Sequence, residues 1–379
     1  MKNYYRTIII GGGPAGLTAG RYLENALILD KKNNIGKPVQ CGEGMNRKAL
    51  ERQGINPARS WVSCNIHKLE RIAPSGVSMG RFESSPKGYI LDRGKFEKFL
   101  LSRCRAEIKL GEKVVSLEKE DKRWKITTEN GVFYSDYVIA ADGPLSLVRQ
   151  KFFPDTGKEL GYFSAIEYLV ETEEEMDTRI AQFYLDNEFY DQGYGWIFPK
   201  GKRVANVGIG GRKIKWNDFE VFLREKVEKR YGKFKLIENR SGTVPSGGFR
   251  GKLYRNGLML TGDAGGLADP IFDGGMTQAM ESARIASECI LNNEAELYEE
   301  KVKVEPFADP QLLEIKEIFF SLDNQVLNHL AQVLNGRSSS YLKSFPGIFK
   351  LLSNSVLRKK LKELYKFFSV WKRVKDHLW

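Results

Sequence analysis

A β-strand, a glycine turn and a helix open the chain, and few folds begin in this way. Residues 5–10 (YRTIII) are apolar and largely β-branched, which is typical of a buried strand, and GGGPAGLTAGRYL follows them directly. Gly11 permits the tight turn, Gly13 lets the backbone approach a pyrophosphate, and Gly16 allows the helix to pack closely on the strand. The helix N-terminus carries unpaired N–H groups and the positive end of its dipole, so it favours phosphate. The pattern predicts a dinucleotide-binding unit.

A second strand supports the same prediction. Residues 26–29 (ALIL) are apolar and end in Asp30, nineteen positions after Gly11. An acidic group at this distance can accept a hydrogen bond from a ribose hydroxyl. Without the flanking strand and helix, the glycine pattern would fit an ordinary turn. With them, it still leaves NAD and FAD open as the dinucleotide.

Two further apolar strands end in a carboxylate beside a glycine. Residues 137–149 (YVIAADGPLSLVR) contain a strand that stops at Asp142, and residues 258–284 (LMLTGDAGGLADPIFDGGMTQAMESAR) contain another that stops at Asp263. Ligands gather at the carboxyl ends of such strands. At Gly275 a second glycine turn opens a helix, whose dipole would also face a ligand. A pair of helix-capping turns is the purely structural alternative.

These stretches resemble the Asp-Gly and Gly-Asp motifs of the flavoprotein monooxygenase superfamily, to which p-hydroxybenzoate hydroxylase belongs. The resemblance implies FAD as the cofactor, with Asp263 on its ribityl chain and the helix start at Met276 near the flavin ring. Residues 91–101 (LDRGKFEKFLL) are similar to a helix of that superfamily in which the arginine, here Arg93, helps to hold the cofactor. Val114 falls where the superfamily's backbone meets adenine.

A narrower resemblance rests on residues 40–45 (QCGEGM) and 194–199 (YGWIFP), which are similar to segments of the geranylgeranyl reductase family. In that family the first segment lies against the flavin and the second lines the lipid site. This implies that Tyr194, Trp196 and Phe198 bind substrate. Taken alone, these residues form an alternating strand with three aromatic side chains on one face, and such stripes are usually sheet core.

The sequence therefore predicts a set of site residues. The cofactor-binding residues are Gly11, Gly13, Ala15, Gly16, Asp30, Cys41, Gly42, Gly44, Arg93, Val114, Asp142, Gly143, Asp263, Gly275 and Met276. Cys41 is the first candidate for a catalytic proton donor, because the resemblance places it beside the flavin, and Tyr194 is the second. The alternative for Cys41 is a small packing residue. No metal site is predicted, because the four cysteines lack the spacing of zinc or iron-sulfur ligands.

The reaction implied by the resemblance is saturation of C=C bonds in the geranylgeranyl chains of a lipid, by hydride transfer from reduced flavin. Only one dinucleotide unit is visible, so we expect an external electron donor such as NAD(P)H, ferredoxin or a similar carrier. Two alternatives stay open. One is an FAD-dependent aromatic hydroxylase or halogenase-type monooxygenase, since the three FAD motifs are shared, and the other is a flavin- or lipid-binding protein without turnover. The oligomeric state is not predicted.

The predicted fold is α/β, or α+β overall. It combines a Rossmann-like FAD-binding domain with an interleaved antiparallel-sheet substrate domain and a basic, helical C-terminal region. The FAD-binding domain is expected to be discontinuous and to comprise residues 1–60, 90–160 and 250–300. The substrate domain is expected at residues 61–89 and 161–249, and the C-terminal region at residues 301–379.

Much of the net charge of +12 is concentrated at the C-terminus, where residues 341–379 hold ten Lys or Arg against Glu363 and Asp376. No nucleic-acid reader module accompanies this charge, so nucleic acid is not an expected partner. An apolar stripe recurs there at helical spacing, and its members are Leu357, Leu361, Leu364, Phe368 and Trp371. Such a stripe suits either an anionic membrane surface, with Trp371 or Trp379 near the interface, or a helix packed on the protein body.

The sequence contains no run of eighteen apolar residues, so it predicts no transmembrane helix. The scattered cysteines and the absence of a secretory leader favour a reducing compartment. We therefore expect a cytoplasmic protein, bound peripherally at the inner face of the membrane if the C-terminal stripe contacts lipid.

Overall fold

The computed structural model describes residues 3–157 and 160–378, and the fold is given for these residues. The strands are β1 (Tyr4–Ile10), β2 (Ala26–Asp30), β3 (Gly44–Asn46), β4 (Val62–Ile66), β5 (Lys68–Ile72), β6 (Ser78–Met79), β7 (Gly88–Leu91), β8 (Glu107–Leu110), β9 (Val114–Glu120), β10 (Arg123–Thr128), β11 (Val132–Ala140), β12 (Tyr162–Thr172), β13 (Ile180–Tyr184), β14 (Tyr194–Pro199), β15 (Val204–Gly211), β16 (Phe234–Pro245), β17 (Tyr254–Arg255) and β18 (Leu258–Leu260).

The helices alternate with these strands in the first three quarters of the chain and then follow one another without strands. They are α1 (Pro14–Tyr22), α2 (Arg47–Arg52), α3 (Arg93–Leu101), α4 (Leu147–Phe152), α5 (Pro154–Gly157), α6 (Trp216–Phe222), α7 (Lys229–Tyr231), α8 (Met276–Leu291), α9 (Tyr298–Lys303), α10 (Gln311–Ser321), α11 (Asn324–Leu334), α12 (Phe345–Ser353), α13 (Ser355–Lys359) and α14 (Leu361–Val374). A π-helical segment, Leu223–Glu228, joins α6 to α7.

The first sheet has the order β17-β18-β11-β1-β2-β8, and its strands from β18 to β8 are parallel. Such strands are covered on both faces, which explains the continuous apolar runs of β1 and β2. Helices α1 and α8 pack against each other in this part of the fold. Strands β9 and β10 extend β11 as an antiparallel meander, and residues 129–131 connect β10 to β11.

The second sheet has the order β16-β12-β15-β14-β13-β5-β6 and is antiparallel except where β13 runs parallel to β5. The predicted aromatic strand is β14, which is buried along its whole length. One side of this sheet packs on the main core, which it shares with the first sheet, and the other side packs on Phe219 and Phe222 of α6. A small third sheet, β3-β7-β4, carries Gly44.

The C-terminal helices pack on the protein body. Within the predicted stripe, Leu357, Leu364 and Trp371 are 0%, 2% and 9% exposed. The prediction that this stripe lies on lipid is therefore wrong, and the alternative of a helix packed on the body is confirmed. The stripe also spans two helices, α13 and α14, because the first ends at Lys359. Trp379, the other residue predicted near a membrane interface, lies outside the described residues.

Within residues 3–157 and 160–378, no helix is both long enough and apolar enough to span a membrane.

Candidate active site

The ends of four adjacent strands bring the predicted motifs together. β2, β1, β11 and β18 are neighbours and parallel, so their carboxyl ends meet at one edge of the first sheet. Three backbone hydrogen bonds join the strand ends at this edge: Gly11 N–H to Leu29 O at 2.8 Å, Ala141 N–H to Ile10 O at 2.8 Å, and Thr261 N–H to Ala140 O at 2.9 Å. Motifs that are more than a hundred residues apart in sequence therefore converge.

The first glycine turn is packed tightly on one side and open on the other. Gly11 has a φ of +105°, and a Cβ added there would lie 2.2 Å from Ala141 O. A Cβ on Gly16 would lie 1.8 Å from Gly11 O, so the helix and the turn need both glycines. A Cβ on Gly13, in contrast, would meet no described atom within 4 Å. Gly13 therefore borders space that a ligand can occupy.

Asp30 braces this turn. Its Oδ2 accepts a hydrogen bond from Gly12 N–H at 2.6 Å, and its Oδ1 accepts one from Lys32 N–H at 2.7 Å. The residue is 4% exposed, so the contact with a ribose hydroxyl stays a prediction. The loop leading to Val114 is fixed to the same strand end, because Glu112 N–H donates to Asp30 O at 2.9 Å.

Two carboxylates at the strand ends are incompletely paired. Asp142 Oδ1 and Asp263 Oδ1 are shielded from solvent and accept no hydrogen bond from any residue that the structure describes. Burial raises the pKa of both carboxyl groups. A buried polar atom without a partner costs about 1–3 kcal/mol, so these oxygens suit the hydroxyl or N–H donors of a bound cofactor. FAD offers such donors along its length.

The second glycine turn lies directly over Asp263. A Cβ on Gly275 would be 2.8 Å from Asp263 Oδ1, and α8 begins at the next residue, Met276. Gly262, beside Asp263, approaches Ala15 of α1, where a Cβ added to the glycine would be 3.7 Å from the alanine Cβ. The starts of α1 and α8 therefore flank one space.

Arg149, to which sequence reasoning gave no role, joins the second and third motifs. It is 1% exposed, and its Nη1 donates to Asp263 O at 3.0 Å and to Ala264 O at 2.9 Å. Its Nη2 donates to Pro144 O and, at 3.0 Å, to Tyr162 Oη. The only sequence signal was its place as the last residue of the Asp-Gly motif.

Cys41 is partly buried, between the charges of Arg93 and Glu43. Its Sγ accepts a hydrogen bond from Glu43 N–H at 3.2 Å. Burial is the largest influence and raises the pKa of the Cys41 thiol, while the charge of Arg93 acts in the opposite direction. The charge of Arg93 also acts to lower the pKa of the Asp263 carboxyl group, against the larger effect of burial. The thiol is therefore protonated at neutral pH, and it shares the influence of Arg93 with the incompletely paired carboxylate of Asp263.

The residues Tyr194, Trp196 and Phe198 form an aromatic wall. In β15 the residues opposite Tyr194 and Trp196 are Gly210 and Gly208. A Cβ on Gly208 would lie 2.3 Å from Trp196 Cζ2, so the glycine makes room for the indole ring. Gly208 and Gly210 are therefore sheet positions of β15, opposite aromatic residues of β14.

The aromatic wall faces the Cys41 segment and the start of α8. A Cβ on Gly42 would lie 3.1 Å from Phe198 Cε2. Tyr194 Oη donates to Phe272 O at 2.6 Å, and burial raises the pKa of its hydroxyl well above the ordinary value. The proton of Tyr194 is therefore already held by a backbone carbonyl, which leaves Cys41 as the better candidate proton donor.

Glu43 is a buried charge that sequence reasoning passed over. It is 1% exposed at a φ of +66°. Its Oε2 accepts from Lys200 Nζ at 2.5 Å, Asn206 Nδ2 at 2.8 Å and Arg240 Nη1 at 3.2 Å, and its Oε1 accepts from Arg93 N–H at 2.8 Å. These bonds tie the Cys41 segment to the second sheet.

Glu167 stands behind the aromatic wall. Its Oε2 accepts from Trp196 Nε1 at 3.1 Å and its Oε1 accepts from Arg240 Nη1 at 3.4 Å. Burial raises its pKa to about 8, although Arg240 acts to lower it. Glu167 is therefore largely neutral at pH 7, and the other carboxylates that pair with Arg240 are Glu238 at 2.8 Å and Glu43 at 3.2 Å.

Comparison with known proteins shows which family this arrangement belongs to. A family model described as the geranylgeranyl reductase catalytic domain matches residues 162–244, from β12 to β16. A digeranylgeranylglycerophospholipid reductase from Methanoculleus marisnigri is 32% identical over 91% of this chain and 93% of its own length. One from Methanosarcina acetivorans is 31% identical over 88% and 89%. The chain belongs to the geranylgeranyl reductase family.

Solved structures agree with that assignment. A geranylgeranyl bacteriochlorophyll reductase-like protein from Thermoplasma acidophilum is 26% identical, covers 95% of this chain and 99% of its own, and superposes with a TM-score of 0.79. A halogenase solved with phloroglucinol and FAD is 13% identical, covers 99% of this chain and 97% of its own, and has a TM-score of 0.64, so it shows the fold alone. The predicted fold class and the prediction of an FAD-dependent oxidoreductase of the reductase type are confirmed.

Proposed function

We propose that this protein saturates the C=C bonds of the geranylgeranyl chains of a digeranylgeranylglycerophospholipid, the lipid named for its relatives. The proposal rests on one observation, which is that an apolar surface and an incompletely paired carboxylate lie in the same site. An aromatic wall on β14 lies against the Cys41 segment, within the same site as the incompletely paired carboxylate of Asp263. A flat apolar surface suits a prenyl chain, and the carboxylates suit the polar length of FAD.

The residues present fit FAD along one edge of the first sheet. Gly11, Gly13, Ala15 and Gly16 would receive the pyrophosphate at the start of α1, and Asp30 and Val114 would border the adenosine. Asp263, with Gly275 and Met276 at the start of α8, would hold the ribityl chain and the ring. When bound and reduced, FAD supplies the hydride for the double bond.

The chain itself must supply a proton and exclude water. An isolated double bond carries no carbonyl to polarise, so orientation and a dry site have to lower the barrier. We assign the proton to the Cys41 thiol, which burial keeps protonated. The aromatic wall, whose members are 4% to 8% exposed, would align the prenyl chain over this thiol.

Two partners complete the proposal. An external reductant such as NAD(P)H or ferredoxin would deliver electrons. The protein would also work at the surface of a membrane that contains anionic lipid, because its substrate is a membrane lipid and its C-terminal region is strongly basic.

The test is anaerobic incubation of the dithionite-reduced protein with digeranylgeranylglycerophospholipid, followed by mass spectrometry of the lipid. Each saturated double bond adds about two mass units, and the oxidised protein serves as the control. Lipid that keeps its mass under both conditions, with FAD bound at full occupancy, would overturn the proposed reaction.

A further inference from the structure

Helix α12 turns an apolar face to solvent. Phe345, Ile348, Phe349 and Leu352 are 84%, 45%, 63% and 47% exposed. They occupy positions i, i+3, i+4 and i+7, which lie on one side of a helix, and they form what is here the outer face of α12. Soluble proteins rarely leave several large apolar side chains together in water unless the surface binds something.

The orientation of this face is fixed by the opposite side of the helix. Gly347 and Leu351 are the buried residues of α12. A Cβ added to Gly347 would lie 2.0 Å from Tyr341 O, so the helix backbone sits directly on the preceding turn. Rotating the outer face inward would break this close contact. The four side chains are therefore exposed because the opposite side of the helix is packed against the protein.

The charge around the outer face has one sign. Residues 324–362 contain seven Lys or Arg and no Asp or Glu. Lys343 and Lys350 are exposed on either side of Phe345, and Arg358 and Lys359 are exposed in α13. Apolar side chains surrounded by lysines match a lipid surface with anionic headgroups, because the rings enter the acyl region while the ammonium groups reach phosphate.

We infer that the outer face of α12 docks the protein on a membrane that contains anionic lipid. The inference rests on the proposed function for its purpose, since the lipid substrate lies in such a membrane. The same helical region contacts the site: Phe319 of α10 and Trp371 of α14 pack on Phe272 at ring-centroid distances of 5.9 and 5.6 Å, and Phe272 packs on Tyr194. Docking through α12 therefore fixes the orientation of the aromatic wall relative to the membrane.

The test compares the double variant Phe345→Ser, Phe349→Ser with a control, Val304→Ser. Val304 is 82% exposed but follows α9, outside the basic stretch. The FAD-loaded full chain is sedimented with vesicles of phosphatidylcholine, alone or mixed with phosphatidylglycerol. We expect the native protein and the control to bind the mixed vesicles, and the double variant to bind at least about tenfold more weakly. Equal binding by the native protein and the double variant would overturn the inference.

Two further measurements separate docking from its alternatives. Sedimentation velocity without vesicles tests a second copy of the chain as the occupant: a dimer that the double variant dissociates would overturn membrane docking. Reduction of lipid dispersed in detergent should be equal in the native protein and the double variant. If neither protein reduces the dispersed lipid, while the native protein still binds mixed vesicles and the double variant does not, the result would count against the proposed reaction. It would leave the docking surface supported.

Discussion

Three buried polar side chains in the site, Asp142, Asp263 and Arg149, have contacts that their neighbours in sequence do not explain. The Oδ1 atoms of Asp142 and Asp263 are buried without a described donor, while Arg149 uses its guanidinium on backbone carbonyls next to Asp263. Arg149 therefore binds the backbone beside Asp263 without satisfying its Oδ1, and the unpaired Oδ1 atoms of Asp142 and Asp263 indicate where the donors of a ligand would lie.

Gly13→Ala tests the cofactor assignment without disturbing the fold. The added methyl group would meet no described protein atom within 4 Å, so the free energy of unfolding of the apoprotein should change little. If the pyrophosphate occupies that space, FAD affinity should fall at least about tenfold, which corresponds to about 1.4 kcal/mol. FAD titration followed by flavin fluorescence measures this, with Gly131→Ala in the β10–β11 turn as the control. Unchanged affinity in Gly13→Ala would remove Gly13 from the site.

Cys41→Ala tests the proton donor. FAD binding should persist, while the rate of double-bond reduction should fall roughly a hundredfold or more, as expected for loss of a general acid. The thiol acts in its protonated form, so activity should be present below its raised pKa and fall as the pH rises through it. Cys104→Ala, away from the wall, is the control. A normal rate and pH profile in Cys41→Ala would make Cys41 a packing residue.

Lys200→Met tests the buried charge cluster around Glu43. Removing one partner of a buried ion pair typically costs about 3 kcal/mol, and Lys200 is 13% exposed against Glu43 at 1%. Urea unfolding should show this loss. Lys202→Met is the matched control, because that lysine is 74% exposed and pairs with Glu175 at the surface. Equal stability of the two variants would contradict a structural role for the Glu43 cluster.

Among the elements, those built from local signals could be predicted and those that depend on distant partners could not. The strand, turn and helix at residues 4–22 are specified by neighbouring residues. Glu43, by contrast, looks like any loop acid until β15 and β16 supply Asn206 and Arg240. Periodicity showed that α14 has an apolar face, but the sequence did not decide whether lipid or the protein body covers it.

Gly208→Ala tests how β14 and β15 support each other. The new methyl group would overlap Trp196 and the backbone of β12, at 2.3 Å from Cζ2 and 2.7 Å from Ile166 O. Overpacking of this kind costs about 1–3 kcal/mol and should displace the indole from Glu167. Thermal unfolding and tryptophan fluorescence measure both effects. Gly201→Ala, whose Cβ would come no closer than 4.0 Å to its neighbours, should be neutral, and equal behaviour of the two variants would contradict tight packing at Gly208.

At the scale of the whole molecule, the C-terminal helices complete the site. Trp371 stacks on Phe367 and contacts Phe272, the residue whose carbonyl accepts the Tyr194 hydroxyl. One aromatic cluster thus runs from the second sheet into α14. The C-terminal region therefore contains two helices with different surroundings. Helix α14 packs on the aromatic cluster of the site, whereas α12 exposes its outer face to solvent.

Trp371→Ala tests the packing of α14 on this cluster. Trp371 is 9% exposed, and truncating a buried aromatic side chain costs about 3–5 kcal/mol. We expect that loss in chemical denaturation, together with weaker retention of FAD, because Phe272, which Trp371 contacts, lies three residues before Gly275 at the start of α8. Tyr365→Ala on the same helix, where the side chain is 74% exposed, should stay within about 0.5 kcal/mol of the native protein. A Trp371→Ala protein of native stability would contradict a stabilising contact between Trp371 and Phe272.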